Sequence, residues 1–219
     1  MFTKVEEINT IVDKTRSYFE KGATKKITWR RKQWLGLSHF VKTEETKIKD
    51  CLRKDLKQTE ILVQAGEIAI IQNSVNLALK KLDDWCYPKI VNDLPLSVFP
   101  SKAFIVREPL GVCAILGVWN FPFLTVLEPL VAAIAAGTSV VLKPSEISSH
   151  SCNLIFEKLP LYVDSQAISI ITGGPEQAVE LLKHRFDHIF YTVFKSLCFA
   201  IFYFLFSDFS YYICIFFKS

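Results

Sequence analysis

Several signatures are missing from these 219 residues. No two of the six cysteines (Cys51, Cys86, Cys113, Cys152, Cys198 and Cys214) have CxxC spacing, and Lys4, Glu6 and Glu7 fall where a signal peptide requires an apolar run. The expectation is an intracellular chain with reduced thiols. Zinc needs clustered ligands, and the nearest approach is His184 with His188, an i, i+4 pair with no third ligand beside it, so no metal site is expected. Neither GxGxxG nor the GxxxxGK phosphate loop occurs. Charge of one sign is also scarce. The net charge is +4, and the excess of 15 basic over 9 acidic residues in positions 1–60 reads as solvated helix faces, which argues against a nucleic-acid partner. What is present is ordinary for a globular protein: half the residues are hydrophobic and 22% are charged. That composition excludes a disordered chain, a collagen-like repeat and a disulfide-dense miniature.

Four stretches differ in pattern. Residues 1–95 form a helical region, with helical periodicity over 4–20 and 29–86; Trp34, Leu37, Phe40 and Val41 carry it, as do Ile61, Leu62, Ala65, Ile68, Ala69 and Gln72. Tyr87-Pro88 and Asn92-Asp-Leu-Pro95 interrupt it, and residues 96–110 follow as bridging strands, with alternation over Ser97 to Arg107. From Gly111 short apolar runs alternate with helices, as a parallel sheet covered on both faces requires. The expected strands are Val112–Val118, Thr138–Leu142, Ala167–Ile171 and His188–Tyr191. The expected helices are Phe123–Ala136, stopped by Gly137, Ser148–Leu159, with a serine cap, and Pro175–His184, with proline first. This is an α/β fold: the helical region, then the first four strands of a doubly wound parallel Rossmann-like sheet over residues 111–192.

The segment Gly117-Val-Trp-Asn-Phe-Pro122 places a turn directly after a buried strand, at the carboxyl end of the sheet where open α/β folds bind ligands. A fixed Asn amide there can donate to an oxyanion developing on a carbonyl carbon under attack, an effect worth roughly 3 to 4 kcal/mol. Asn120 could equally do no more than satisfy the turn backbone. Gly173-Gly174 before a helix could offer N–H groups to an anion, or be a tight turn.

Taken together, Arg107-Glu-Pro-Leu-Gly-Val112, Gly117-Val-Trp-Asn-Phe-Pro122, Ala132-Ala-Ile-Ala-Ala-Gly137, Leu142-Lys-Pro-Ser-Glu146, Gly173-Gly174 and Arg185-Phe-Asp-His-Ile-Phe-Tyr-Thr192 resemble the NAD(P)-dependent aldehyde dehydrogenases. The likeness is strongest to their class 3 branch, which includes the fatty aldehyde dehydrogenases. It runs from about residue 5 to Thr192 and implies an incomplete aldehyde dehydrogenase-like fold, with oxidation of a small-molecule aldehyde to a carboxylic acid as the ancestral reaction. By resemblance Asn120 is the oxyanion-stabilising residue. Lys143 and Glu146 are the pair that clamps the adenosine ribose hydroxyls of NAD or NADP, Gly173 and Gly174 wall the cofactor crevice, and Trp119 and Phe121 line or support it. Core packing explains the two aromatics equally well.

The departures shape the expectation as much as the matches. Relatives continue from Thr192 with Gly and a small polar residue that open a helix beside the pyrophosphate, whereas here Val193-Phe-Lys-Ser follows. Neither the Glu-Leu-Gly-Gly-Lys segment of the family's general base nor the Gly-Gln-x-Cys segment of its nucleophile occurs. The chain therefore reads as an inactive portion of such an enzyme, with weak or lost cofactor binding and an incomplete dimer interface. Residues 193–219 form a divergent hydrophobic tail: 20 of 27 residues are apolar and eight are Phe. It reads either as translated intron or frameshifted sequence, or as a membrane anchor spanning 193–217. The second reading makes the chain a catalytically dead, membrane-tethered partner, and it leaves the expected location cytoplasmic or membrane-associated, with the endoplasmic reticulum as one candidate membrane.

Overall fold

The computed structural model describes residues 2–192 and a two-residue strand at 213–214. Five α-helices and a π-helical turn make up most of the first 86 residues: α1 (Val5–Glu20), α2 (Ile27–Thr43), α3 (Glu45–Leu56), α4 (Glu60–Val63), the π turn Gln64–Ile68 and α5 (Ala69–Cys86). The long helical stretch expected over 29–86 is thus divided. Lys57 takes a left-handed conformation (φ 57°) that ends α3, and the Thr59 side chain accepts from Leu62 N–H to open α4. Two short strands follow, β1 (Lys89–Val91) and β2 (Ala103–Ile105), paired antiparallel with Ile90 opposite Phe104. Only β2 lies within the alternation seen in the sequence.

The parallel sheet contains β3 (Val112–Leu116), β4 (Ser139–Lys143), β5 (Ile168–Ile170), β6 (His188–Tyr191) and β7 (Ile213–Cys214), in the order β5-β4-β3-β6-β7. Counted along the sheet's own strands this is 3-2-1-4-5, the doubly wound order. Its crossovers are α6 (Leu124–Ala136), α7 (Ser149–Lys158) and α8 (Pro175–Leu182). Every residue of β3 and β4 is buried, because both faces are covered. The strand period of two sorts their side chains. Val112, Ala114, Leu116, Val141 and Ile189 pack with Ile8 and Val12 of α1 and Leu181 of α8, whereas Cys113, Ile115, Val140 and Leu142 pack with α6, α7 and the α2–α5 helices. The N-terminal helical region is therefore the cladding of the sheet, and it fixes the loops at the sheet's carboxyl edge.

Candidate functional site

Four strand ends meet at that edge: the Gly117–Pro122 turn after β3, Pro144–Glu146 after β4, Thr172–Gly174 after β5 and Thr192 after β6. Several bonds hold the first turn. Gly117 N–H donates to Lys143 C=O (2.9 Å), extending the β3–β4 pairing by one bond. Val118 N–H donates to Thr125 Oγ1 (3.1 Å), and that hydroxyl donates onward to Phe121 C=O (2.9 Å). Ser148 Oγ donates to Trp119 C=O (2.6 Å). At the far end of the turn, Phe123 and Leu124 N–H both donate to Glu67 Oε2 (2.9 Å each). These are N-terminal N–H groups of α6, which no intrahelical carbonyl can satisfy.

Within this frame Asn120 is exposed, and its amide makes no hydrogen bond among the described residues. The turn's polar backbone is served by Thr125, Ser148 and Glu67 instead, so an Asn at 120 is not needed for turn closure. The amide is held out as a free donor. Trp119 is about half exposed (47%) beside it, so its ring is not core packing. Ser148 departs from the expected helix cap. Its hydroxyl is taken by Trp119, and α7 is capped from a distance by Asp55, which accepts from His150 N–H (3.1 Å), Ser151 N–H (2.8 Å) and Ser151 Oγ (2.8 Å).

Lys143 closes β4 and Glu146 follows one turn later; Lys143 Nζ lies 3.2 Å from Glu146 Oε2. The lysine side chain is 7% exposed and the glutamate 27%, so of the pair the carboxylate is the more open to solvent. Gly174 stands across from it, where a Cβ would come 3.9 Å from Glu146 Oε1. Gly173 has φ +148°, and a Cβ there would overlap Gln177, whose Oε1 accepts from Gly174 N–H (2.9 Å). Only glycine fits at 173. Tyr191, on β6, has its hydroxyl pushed above the usual tyrosine range by burial and then by the Glu146 carboxylate. An ammonium that donates and a carboxylate that accepts, facing a side-chain-free Gly174, fit the vicinal hydroxyls of a ribose. The structure thus gathers Lys143, Glu146, Gly173 and Gly174 at one crevice, and places Asn120 and Trp119 on the adjoining turn.

The thiols are poorly placed for nucleophilic work. Burial, followed by the Asp55 carboxylate, pushes Cys51 up to about 11, and burial raises Cys152 as well, although Lys143 pulls it down. Cys113 is buried inside β3, and Cys86 accepts from Arg30 at the other end of α6. That end carries a separate pocket of about 500 Å³ lined by Arg30, Trp85, Cys86, Arg107, Glu108 and α6 alanines. It is one helix length, roughly 20 Å, from the Asn120 turn. Cys198 and Cys214 lie in residues whose side chains are outside the described part, as does the tail over 193–217. No described helix is long and apolar enough to cross a membrane.

Sequence reasoning missed Glu67, Thr125 and Asp55. All three bond to backbone that is close in space, and for Glu67 and Asp55 the partner is 56 or more residues away in the chain. The one available signal was an acidic residue set among Val63, Ile68 and Ile71, which needs a partner if it is buried.

A sequence profile of the aldehyde dehydrogenase family matches residues 2–192. Aldehyde dehydrogenase family 3 member I1 of Arabidopsis thaliana, a chloroplastic protein, is 39% identical over 187 residues, covering 85% of this chain and 34% of its own. Family 3 member B1 of Rattus norvegicus is 41% identical over 177 residues, 81% of this chain and 38% of the relative. The dimeric NADP-preferring aldehyde dehydrogenase of Canis lupus familiaris is 36% identical over 188 residues, 86% and 41% of the two chains. Among solved structures, the substrate-bound state of Staphylococcus aureus AldH superimposes with a TM-score of 0.86 at 33% identity, over 90% of this chain and 43% of that one. The chain thus spans between a third and about two fifths of the length of these curated relatives. With the doubly wound sheet, the carboxyl-edge crevice and the profile match in agreement, the chain belongs to the aldehyde dehydrogenase family.

Proposed function

We propose that this chain contributes the oxyanion donor and the adenosine half of the cofactor site to an NAD(P)-dependent oxidation of an aldehyde to a carboxylic acid, and that these 219 residues alone do not turn over. The observation that carries the reading is the exposed, unpaired Asn120 amide on a tied turn, beside the paired Lys143 and Glu146. Asn120 donates to the carbonyl oxygen as negative charge collects there, and the turn it sits on is already tied, so little reorganisation accompanies the reaction. Lys143 donates to a ribose hydroxyl, and Glu146 accepts from its neighbour. Gly173 and Gly174 let the backbone approach, and Trp119 shields the edge of the crevice from water. The bound nicotinamide supplies the hydride acceptor.

Two groups that the reaction requires are missing from these residues: a thiolate to attack the aldehyde and a base to activate water on the thioester. Purified chain is therefore expected to produce no NAD(P)H from a panel of aliphatic and aromatic aldehydes. Turnover that thiol alkylation abolishes, and that maps to one of the six cysteines, would contradict the proposal.

A further inference from the structure

The structure assigns to Glu67 the part of a positioning residue, a buried carboxyl that holds the start of α6, where the Trp119–Pro122 turn ends, against the π turn and so sets where the Asn120 amide points. The inference rests on Asn120 being the oxyanion donor.

Glu67 is fully buried, and one of its oxygens carries both bonds to α6 while the other, Oε1, is buried with no partner. Among the described residues no ion pair accounts for its burial. Glu60, Lys80, Lys81, Asp83, Asp84 and Glu128, the charged residues of the elements packed around it, make no hydrogen bond or ion pair with it. Its two α6 bonds are what this buried carboxyl does for the fold. The π turn Gln64–Ile68 delivers it, since one residue more than an α-turn carries brings Glu67 inward between Val63 and Ile68. The neighbouring Gly66 lies beside the same turn: a Cβ added there would come 3.8 Å from Phe121 Cε1. The π turn thus lies against the end of the turn that follows Asn120, where Glu67 bonds Phe123 and Leu124. Removing the acceptor frees two N–H groups at the hinge between the turn and α6. The turn keeps its Thr125 and Ser148 ties but its far end, at the start of α6, is no longer held against the π turn.

Hydrogen exchange on the full chain, read by mass spectrometry, tests this without any turnover, so its failure is separate from failure of the proposed reaction. Glu67→Leu fills the same space without an acceptor. Peptides covering 117–124 are expected to exchange roughly tenfold faster, the factor that loss of about one hydrogen bond gives, while the α3 peptide 45–56 stays as protected as before. Glu67→Gln, whose amide oxygen can accept the same two bonds, restores the slow exchange. Unchanged exchange over 117–124 in Glu67→Leu, or fast exchange there in Glu67→Gln with 45–56 protected, overturns the inference. Should Glu67→Leu exchange fast throughout, Glu67→Gln alone decides by the same two criteria.

Discussion

At the scale of single residues, the energetic consequence of Glu67 is a pH dependence with a definite sign. Burial pushes its carboxyl up to about 7, against 4.5 for the free side chain, even though two N–H donors pull it down. A carboxyl whose value is raised in the fold contributes stability that is fully present below about 4.5 and is lost as pH rises toward 7, because the folded chain then holds a proton that the unfolded chain has released. The span corresponds to about 3 kcal/mol. Glu67→Gln has no proton to lose. Urea denaturation is expected to show the variant gaining about 3 kcal/mol on the parent between pH 4.5 and 8, and a difference that stays constant with pH would contradict this. Asn120, Lys143 and Glu146 were legible through the family resemblance of Gly117–Pro122 and Leu142–Glu146; by type and spacing alone Asn120 could equally close a turn, and the other two read as an exposed lysine and a helix-start glutamate. Glu67 was not, because nothing in positions 60–72 shows that the α6 terminus, 56 residues on, lies against it.

Elements show the same division between local and distant causes. The strands and helices of 111–192 are readable because burial on both faces forces short apolar runs, and Gly137 and Pro175 mark a helix end and a helix start. β1 has three residues, too few for alternation to show, and exists only because β2 pairs with it. The capping of α7 is the sharpest case. Ser148 has the sequence of a cap, but its hydroxyl goes to Trp119 C=O, and Asp55 from the last turn of α3 supplies the acceptor instead. Asp55→Ala should therefore lower stability by about 1 to 2 kcal/mol, a typical cost for a lost cap. Ser148→Ala should leave α7 intact and loosen only the Trp119 turn. Thermal unfolding of the two variants separates them, and a larger loss in Ser148→Ala would show that the capping role has been misassigned.

For the molecule as a whole, the sheet and its cladding form a core on each face of the sheet, but the β1–β2 ribbon shares in neither. Ile90, Leu96, Phe99 and Phe104 are all more than half exposed, with Leu96 at 92%. A two-stranded ribbon is marginal alone, and an apolar one invites association. The apolar sequence 193–219 adds to that tendency. Deleting it is expected to increase the soluble fraction without making the chain monomeric at high concentration, because the ribbon remains; sedimentation velocity of both forms checks this, and a monomeric parent chain would contradict it. The most direct test of the functional reading is calorimetric titration with NAD. Weak binding is expected, well above the micromolar range, because Val193-Phe-Lys-Ser follows Thr192 where the resemblance places a Gly-opened helix beside the pyrophosphate, and Lys143→Ala with Glu146→Ala should abolish it. Submicromolar affinity, or affinity unchanged in the double variant, would contradict the assignment of that crevice to the adenosine ribose.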